Sequence, residues 1–136
     1  MIGFIGVGVM GEPICRHIAS KSGKEIRAYD LNPEPLERLK AKGVKPVESV
    51  REVAEKSEVV FLSLPGAPQV KEVCVGRASL LIHQRPGTYI VDLSTVPPAF
   101  LEVLDAEELA QRPACRLVVS AIRRDSPPAG AHKDRL

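Results

Sequence analysis

Short apolar runs alternate with segments of helical spacing along most of this chain. The runs predict strands, listed here in chain order: 2–7, 26–29, 44–47, 59–64, 89–92 and 116–120. The segments between them predict helices at about 12–21, 33–41, 50–56, 69–75 and 98–111. Several runs are apolar at consecutive positions, as in strands that are buried on both faces. The alternation therefore predicts an α/β fold with a doubly wound parallel sheet of the Rossmann type.

Capping residues mark where some of these elements begin, and a loss of periodicity marks the end of the domain. Asn32 precedes a proline and suits a helix start, and Ser49 with Glu52 matches a capping box. Beyond the last predicted strand the chain is rich in Arg, Pro, Ala and Asp and has no helical or strand period. We therefore predict a single domain at 1–120 and an irregular or disordered tail at 121–136.

The first predicted strand runs directly into a G-x-G-x-x-G motif at 6–11. In a dinucleotide site, Gly6 permits the tight turn, Gly8 lets the backbone approach a pyrophosphate, and Gly11 allows close packing of helix and strand. The helix that follows would offer free N–H groups and a positive dipole end to the phosphates. The alternative is a glycine-rich turn without a ligand, but strand, loop, helix and acid all occur in the expected order.

The acid of this pattern is Asp30, which ends the second predicted strand 19 residues after Gly11. A carboxylate here can accept hydrogen bonds from the adenosine ribose hydroxyls and would repel the additional phosphate of NADP. Leu31 follows, where an NADP site would benefit from an arginine. The pattern therefore favours NAD over NADP. The competing interpretation is an Asp at a strand end that only caps the following helix.

Composition excludes several other classes of protein. The 136 residues carry a net charge of +2, but five basic and two acidic side chains lie beyond residue 115, which leaves the body slightly acidic. With few aromatic residues and no basic body, nucleic-acid binding is not expected. No apolar run reaches the roughly 20 residues of a membrane span, and no secretion signal is evident, so we expect a cytoplasmic protein. The three cysteines and three histidines are scattered, which predicts no metal site.

Several segments together resemble the β-hydroxyacid dehydrogenase family, which includes 3-hydroxyisobutyrate dehydrogenase, tartronate semialdehyde reductase and, more distantly, 6-phosphogluconate dehydrogenase. Residues 3–14 read G-F-I-G-V-G-V-M-G-E-P-I, and this Met-Gly-x-Pro ending is narrower than a generic dinucleotide loop. Residues 63–65 match the family's leucine-proline segment. Residues 86–95, together with Pro98, match its proline-glycine and aspartate-x-serine-threonine region. The resemblance covers about residues 1–112.

This resemblance implies the residues of a cofactor site and the reaction it serves. The NAD-lining residues would be Gly6, Val7, Gly8, Val9, Met10, Gly11, Asp30, Leu64, Pro65, Gln69 and Thr95. Ser94 would lie beside the substrate carboxylate. The implied reaction is hydride transfer between nicotinamide and the carbinol carbon of a small β-hydroxy acid.

The chain also departs from the family. Only fragments of the family's Asp-Ala-Pro-Val-Ser-Gly-Gly substrate loop are found at 118–124, and one hypothesis is a shifted reading frame near residue 119. The catalytic lysine and the helical second domain would lie past residue 136, so no catalytic residue is assigned. The alternatives are a non-catalytic NAD-binding module and an inert remnant. Truncation would expose apolar surface, which predicts self-association as a homo-oligomer.

Overall fold

The computed structural model describes residues 1–76, 80–94 and 116–119. Its strands are β1 (Ile2–Ile5), β2 (Ile26–Tyr29), β3 (Lys45–Pro46), β4 (Val59–Leu62), β5 (Tyr89–Asp92) and β6 (Arg116–Val119). Its helices are α1 (Gly11–Ser22), α2 (Pro33–Lys40), α3 (Val50–Lys56), α4 (Ala67–Val75) and α5 (Leu80–His83). Within these ranges the strands form one parallel sheet in the order β3-β2-β1-β4-β5-β6. This order confirms the predicted Rossmann-type fold.

The register aligns the carboxyl ends of four neighbouring strands. Ile5 of β1 pairs with Tyr29 of β2 and with Leu62 of β4, and Leu62 pairs in turn with Asp92 of β5. The order of strands reverses at β1, because β2 lies on one side of it and β4 on the other. Ligands of open α/β sheets bind outside the carboxyl ends of the strands at such a switch point. A ligand site is therefore expected at the loops that follow these four strands.

Two apolar clusters bury the two faces of the sheet. One contains Phe4 and Ala28 of the sheet with residues of α1 and α2, and the Phe4 ring stacks on Phe61 at 5.9 Å. The other contains Ile5, Leu62 and Ile90 with residues of α3, α4 and α5. Helices on both faces explain why the strands are apolar at consecutive positions.

Two of the three cysteines belong to this interior, as small core residues would. Cys15 and Cys74 are buried, and burial raises the pKa of the Cys15 thiol to about 12, with the charge of Glu12 adding to the effect. A thiol with this pKa stays protonated and unreactive at neutral pH.

The structure corrects several predicted element bounds. β1 ends at Ile5 rather than at residue 7, because Gly6 has a φ of +91° and leaves the extended conformation. The third strand comprises only Lys45–Pro46 and not residues 44–47, although the Val47 N–H still donates to the Ala28 carbonyl at 2.9 Å. α5 was not predicted, because Leu80–His83 is a single helical turn whose apolar run has no helical period. The predicted helix at 98–111, the domain end at 120 and the tail at 121–136 lie outside the described residues.

Candidate functional site

The glycine loop between β1 and α1 has no room for a side chain at two of its three glycines, and it has room for one at the third. A Cβ on Gly6 would overlap the carbonyl oxygen of Ser63, and a Cβ on Gly11 would overlap the carbonyl oxygen of Gly6. A Cβ on Gly8 would meet no heavy atom within 4 Å. The protein itself therefore accounts for the absence of side chains at Gly6 and Gly11. At Gly8 the missing side chain leaves a surface that a ligand can approach closely.

The amino end of α1 follows this loop and carries no side-chain cap. Met10 is the N-cap residue, and its side chain makes no capping hydrogen bond. The Glu12 N–H donates to the Gly8 carbonyl at 2.9 Å, which starts the helix. An uncapped helix amino terminus offers N–H groups and the positive end of its dipole to an anion.

An ion pair removes the charge conflict that Glu12 would otherwise create at this helix end. The two carboxylate oxygens of Glu12 accept from Nη2 and Nε of Arg38 on α2, at 2.7 and 2.8 Å. These hydrogen bonds hold the pKa of Glu12 below its usual value, so the carboxylate is ionised and paired. Arg38 was not singled out from the sequence, because it lies 26 residues from Glu12 with no motif around it.

Asp30 lies directly beside the glycine loop, as its place in the sequence pattern predicts. Its Oδ2 accepts from the Val7 N–H and its Oδ1 from the Asn32 N–H, both at 2.8 Å. The helix cap is a different residue, since Asn32 Oδ1 accepts from the Glu34 N–H at 3.1 Å and opens α2. Leu31, the next residue after Asp30, is 90% exposed.

A serine hydroxyl joins the loops that follow β4 and β5. Ser94 Oγ accepts from the Leu64 N–H at 2.8 Å, so residues 30 positions apart meet at the carboxyl edge. This bond explains why β4 ends at Leu62, since the Leu64 N–H is taken by a side chain instead of a neighbouring strand. The hydroxyl that accepts this N–H retains its own proton for donation to another group.

A buried carboxylate accepts a hydrogen bond from the Ser94 backbone. Asp92 is fully buried at the end of β5, and its Oδ1 accepts from the Ser94 N–H at 2.9 Å. Its Oδ2 has no hydrogen-bond partner among the described residues. Burial raises the pKa of Asp92, and the hydrogen bonds from Ser94 oppose that rise. This role of Asp92 was not predicted from the sequence, although an Asp two residues before a Ser is typical of such a turn.

The raised pKa of Asp92 predicts a stability that depends on pH in a definite direction. A carboxyl whose pKa is higher in the folded state favours folding when protonated and opposes it when ionised. The free energy of unfolding of the native chain, relative to Asp92→Asn, should therefore be highest below about pH 4, the unfolded value. It should fall as the pH rises through the raised pKa.

Urea unfolding of both proteins at several pH values between 4 and 7 measures this difference. The asparagine keeps an oxygen for the Ser94 N–H, so the comparison isolates ionisation at Asp92. Glu37→Gln, which removes an exposed carboxylate on α2, controls for the loss of one negative charge. A difference between native chain and Asp92→Asn that stays constant over this range would contradict the prediction.

The structure places most of the predicted site residues along one sheet edge. Residues 6–11, Asp30, the Leu64-Pro65 pair and Ser94 follow β1, β2, β4 and β5 respectively. Val7 is fully buried and belongs to the cluster around Phe4, whereas Val9 is 91% exposed. Gln69 is exposed in the first turn of α4. Thr95 lies outside the described residues.

Two other kinds of feature are absent from the described ranges. No group of three or more His, Cys, Asp or Glu side chains there could hold a metal ion. No helix in those ranges is long and apolar enough to cross a membrane.

Solved structures resemble the chain over nearly its whole length. A putative oxidoreductase from Mycobacterium avium superimposes with a TM-score of 0.80 at 26% identity and covers 91% of this chain and 42% of its own. Psf3 in complex with NADP+ and 2-OPP gives a TM-score of 0.76 at 28% identity, over 86% of this chain and 40% of its own.

Sequence comparison identifies relatives of the same kind. The probable mitochondrial 3-hydroxyisobutyrate dehydrogenase of Dictyostelium discoideum is 37% identical over 98 residues, which are 72% of this chain and 30% of that protein. The chain thus spans about a third of this relative's length. The relative confirms the resemblance to β-hydroxyacid dehydrogenases. Residues 1–117 match the family model described as the NAD binding domain of 6-phosphogluconate dehydrogenase, and the chain belongs to this family.

Proposed function

We propose that this domain binds NAD in preference to NADP and forms the cofactor-binding part of an oxidoreductase that acts on a small β-hydroxy acid. The observation that carries the proposal is the contrast within the glycine loop. Gly6 and Gly11 are required by packing, whereas Gly8 borders open space beside an uncapped helix end. Packing alone does not require a glycine at position 8, and close approach of a pyrophosphate does.

The residues present fit a dinucleotide at its phosphate end. The exposed Gly8 lies at the amino end of α1, where N–H groups and the helix dipole favour negative charge. The carboxylate of Glu12 in the first turn would oppose an anion, but Arg38 pairs with both of its oxygens. The site therefore presents donors and no unpaired negative charge from α1 to the phosphates.

Asp30 supports the preference for NAD. Each of its oxygens accepts one backbone N–H, and a carboxylate oxygen has a second lone pair available. The remaining lone pairs suit the hydroxyls of the adenosine ribose. A 2′-phosphate at the same place would meet a negative charge, and the exposed Leu31 beside it supplies no cation.

Ser94 is the proposed contact for the substrate carboxylate. Its oxygen accepts the Leu64 N–H at the carboxyl edge, and its hydroxyl could donate to an anionic substrate group in place of the Asp92 carboxylate. When bound, the nicotinamide would supply or accept the hydride. No described residue is assigned the proton transfer, so turnover by this chain alone is not part of the proposal.

Calorimetric titration of the purified chain with NADH and with NADPH tests the proposal. We expect NADH to bind at least roughly tenfold more tightly, since a charge repulsion of about 1.4 kcal/mol gives that ratio. Leu31→Arg should reduce the ratio of NADH affinity to NADPH affinity, because it adds a cation beside the 2′-phosphate of NADPH. Failure of both nucleotides to bind would overturn the proposal and favour an inert remnant.

The same sample should be assayed with 3-hydroxyisobutyrate and tartronate semialdehyde. Turnover of either would extend the proposal to catalysis by this chain, and binding without turnover would indicate a cofactor module. Self-association and a cytoplasmic location stay predictions from the sequence. Sedimentation at tens of micromolar would test the first of them, and a monomer would contradict it.

A further inference from the structure

The turn at Gly6 directs two consecutive N–H groups to the same neighbouring strand. The Gly6 N–H donates to the Tyr29 carbonyl at 3.0 Å, and the Val7 N–H donates to Asp30 Oδ2 at 2.8 Å. In a regular strand, successive N–H groups point to opposite sides. The φ of +91° at Gly6 breaks this alternation. The Val7 N–H is thereby turned toward the end of β2, where the Asp30 carboxylate provides its acceptor.

We infer that Asp30 is a positioning residue of the glycine loop, in addition to its proposed contact with the ribose. Its two oxygens hold the Val7 N–H of one loop and the Asn32 N–H of the next, so one side chain fixes both in place. The inference rests on the proposed function only where cofactor affinity is concerned. The hydrogen bond to the loop joins two groups of the protein itself.

Asparagine at position 30 separates the two roles. It has a single side-chain oxygen, and its NH₂ group cannot accept, so Val7 and Asn32 can no longer both be held as they are by the carboxylate. We expect the Val7 amide of Asp30→Asn to exchange its hydrogen faster than in the native chain by roughly tenfold or more. The measurement is made by NMR in the absence of nucleotide.

The second measurement uses ADP and 2′,3′-dideoxy-ADP, which lacks the ribose hydroxyls. If Asp30 contacted only these hydroxyls, Asp30→Asn would weaken ADP binding and leave dideoxy-ADP unaffected. A positioning role predicts that both lose affinity, by roughly tenfold for dideoxy-ADP. Removing a negative charge would by itself strengthen binding of an anion. A loss of affinity therefore points to the shape of the loop.

Glu37→Gln is the matched control, because Glu37 is an exposed acid on α2 whose replacement removes the same charge. It should leave exchange at Val7 unchanged. If Asp30→Asn fails to fold, a measurement on the native chain tests the positioning role instead. A scalar coupling across the hydrogen bond, between the Val7 nitrogen and the Asp30 carboxylate carbon, should be detectable, and its absence overturns the inference.

The outcomes separate this inference from the proposed function. Unchanged Val7 exchange in Asp30→Asn overturns the positioning role even if the native chain binds NADH. Where the native chain binds dideoxy-ADP, an unchanged affinity for it in Asp30→Asn overturns the role as well. Faster exchange in a chain that binds no nucleotide supports the positioning role and overturns the proposed function. Faster exchange together with weaker dideoxy-ADP binding supports both.

Discussion

Replacing Gly8 with valine should lower the affinity for NADH by about a hundredfold and leave the stability of the fold unchanged. A side chain at this position meets no protein atom within 4 Å, so the folded chain accommodates it without strain. It would instead occupy the space through which a pyrophosphate approaches the backbone. Loss of two hydrogen bonds to a charged group, each worth about 1.5 kcal/mol at the lower end, corresponds to this change in affinity.

Calorimetry with NADH and urea unfolding on the same preparation measure both quantities. Gly8→Ala provides an intermediate size and should give an intermediate loss of affinity. The unfolding experiment is the internal control, since an equal free energy of unfolding shows that the loop change is local. A Gly8→Val protein that binds NADH as tightly as the native chain would remove the main support for the proposed site.

Gly6→Ala should have the opposite profile and destabilise the whole domain by about 3 to 5 kcal/mol. Part of this cost, about 1 to 2 kcal/mol, is the left-handed backbone conformation that alanine disfavours. The rest comes from overlap of the new Cβ with the Ser63 carbonyl oxygen, which belongs to the backbone and cannot rotate away. A total stability of roughly 5 to 15 kcal/mol leaves little margin for such a loss.

Gly23→Ala is the matched control for this experiment. Gly23 ends α1 with a φ of +66°, and a Cβ there would meet nothing within 4 Å. It should lose only the conformational part, about 1 to 2 kcal/mol. Urea unfolding of the two variants gives the difference directly. Equal losses would mean that the approach of Ser63 to the glycine loop does not constrain the fold.

The fold could be predicted because the apolar runs and the capping residues indicate the same order of strands and helices. The bounds of β2 and β5 agree with their apolar runs, and Ser49 caps α3 by accepting from the Glu52 N–H at 3.2 Å. The need for glycine at positions 6 and 11 could also be predicted, since the motif requires a tight turn and close packing of the helix on the strand.

What could not be predicted depends on contacts between residues far apart in the chain. The Leu64–Ser94 bond, the Glu12–Arg38 pair and the role of Asp92 arise only when the strands are in register. Strand ends were misplaced for the same reason, because an apolar residue such as Val7 can be buried without being in a strand. The pattern of apolar residues indicates which positions are buried. It does not indicate which acceptor a backbone N–H will form a hydrogen bond with.

The two buried clusters differ in how much of the chain must exist before each can close. The buried members of the cluster around Phe4 all lie between Phe4 and Val44, whereas the cluster around Ile5 needs residues as late as Ile90. During synthesis, which proceeds from the amino end, the first face can therefore pack while the second still lacks its partners. The Asp30 acceptor for Val7 is then already present, but Ser63, against which Gly6 packs, is not. We expect the emerging chain to acquire a loosely held glycine loop early and to rigidify it only when β4 docks.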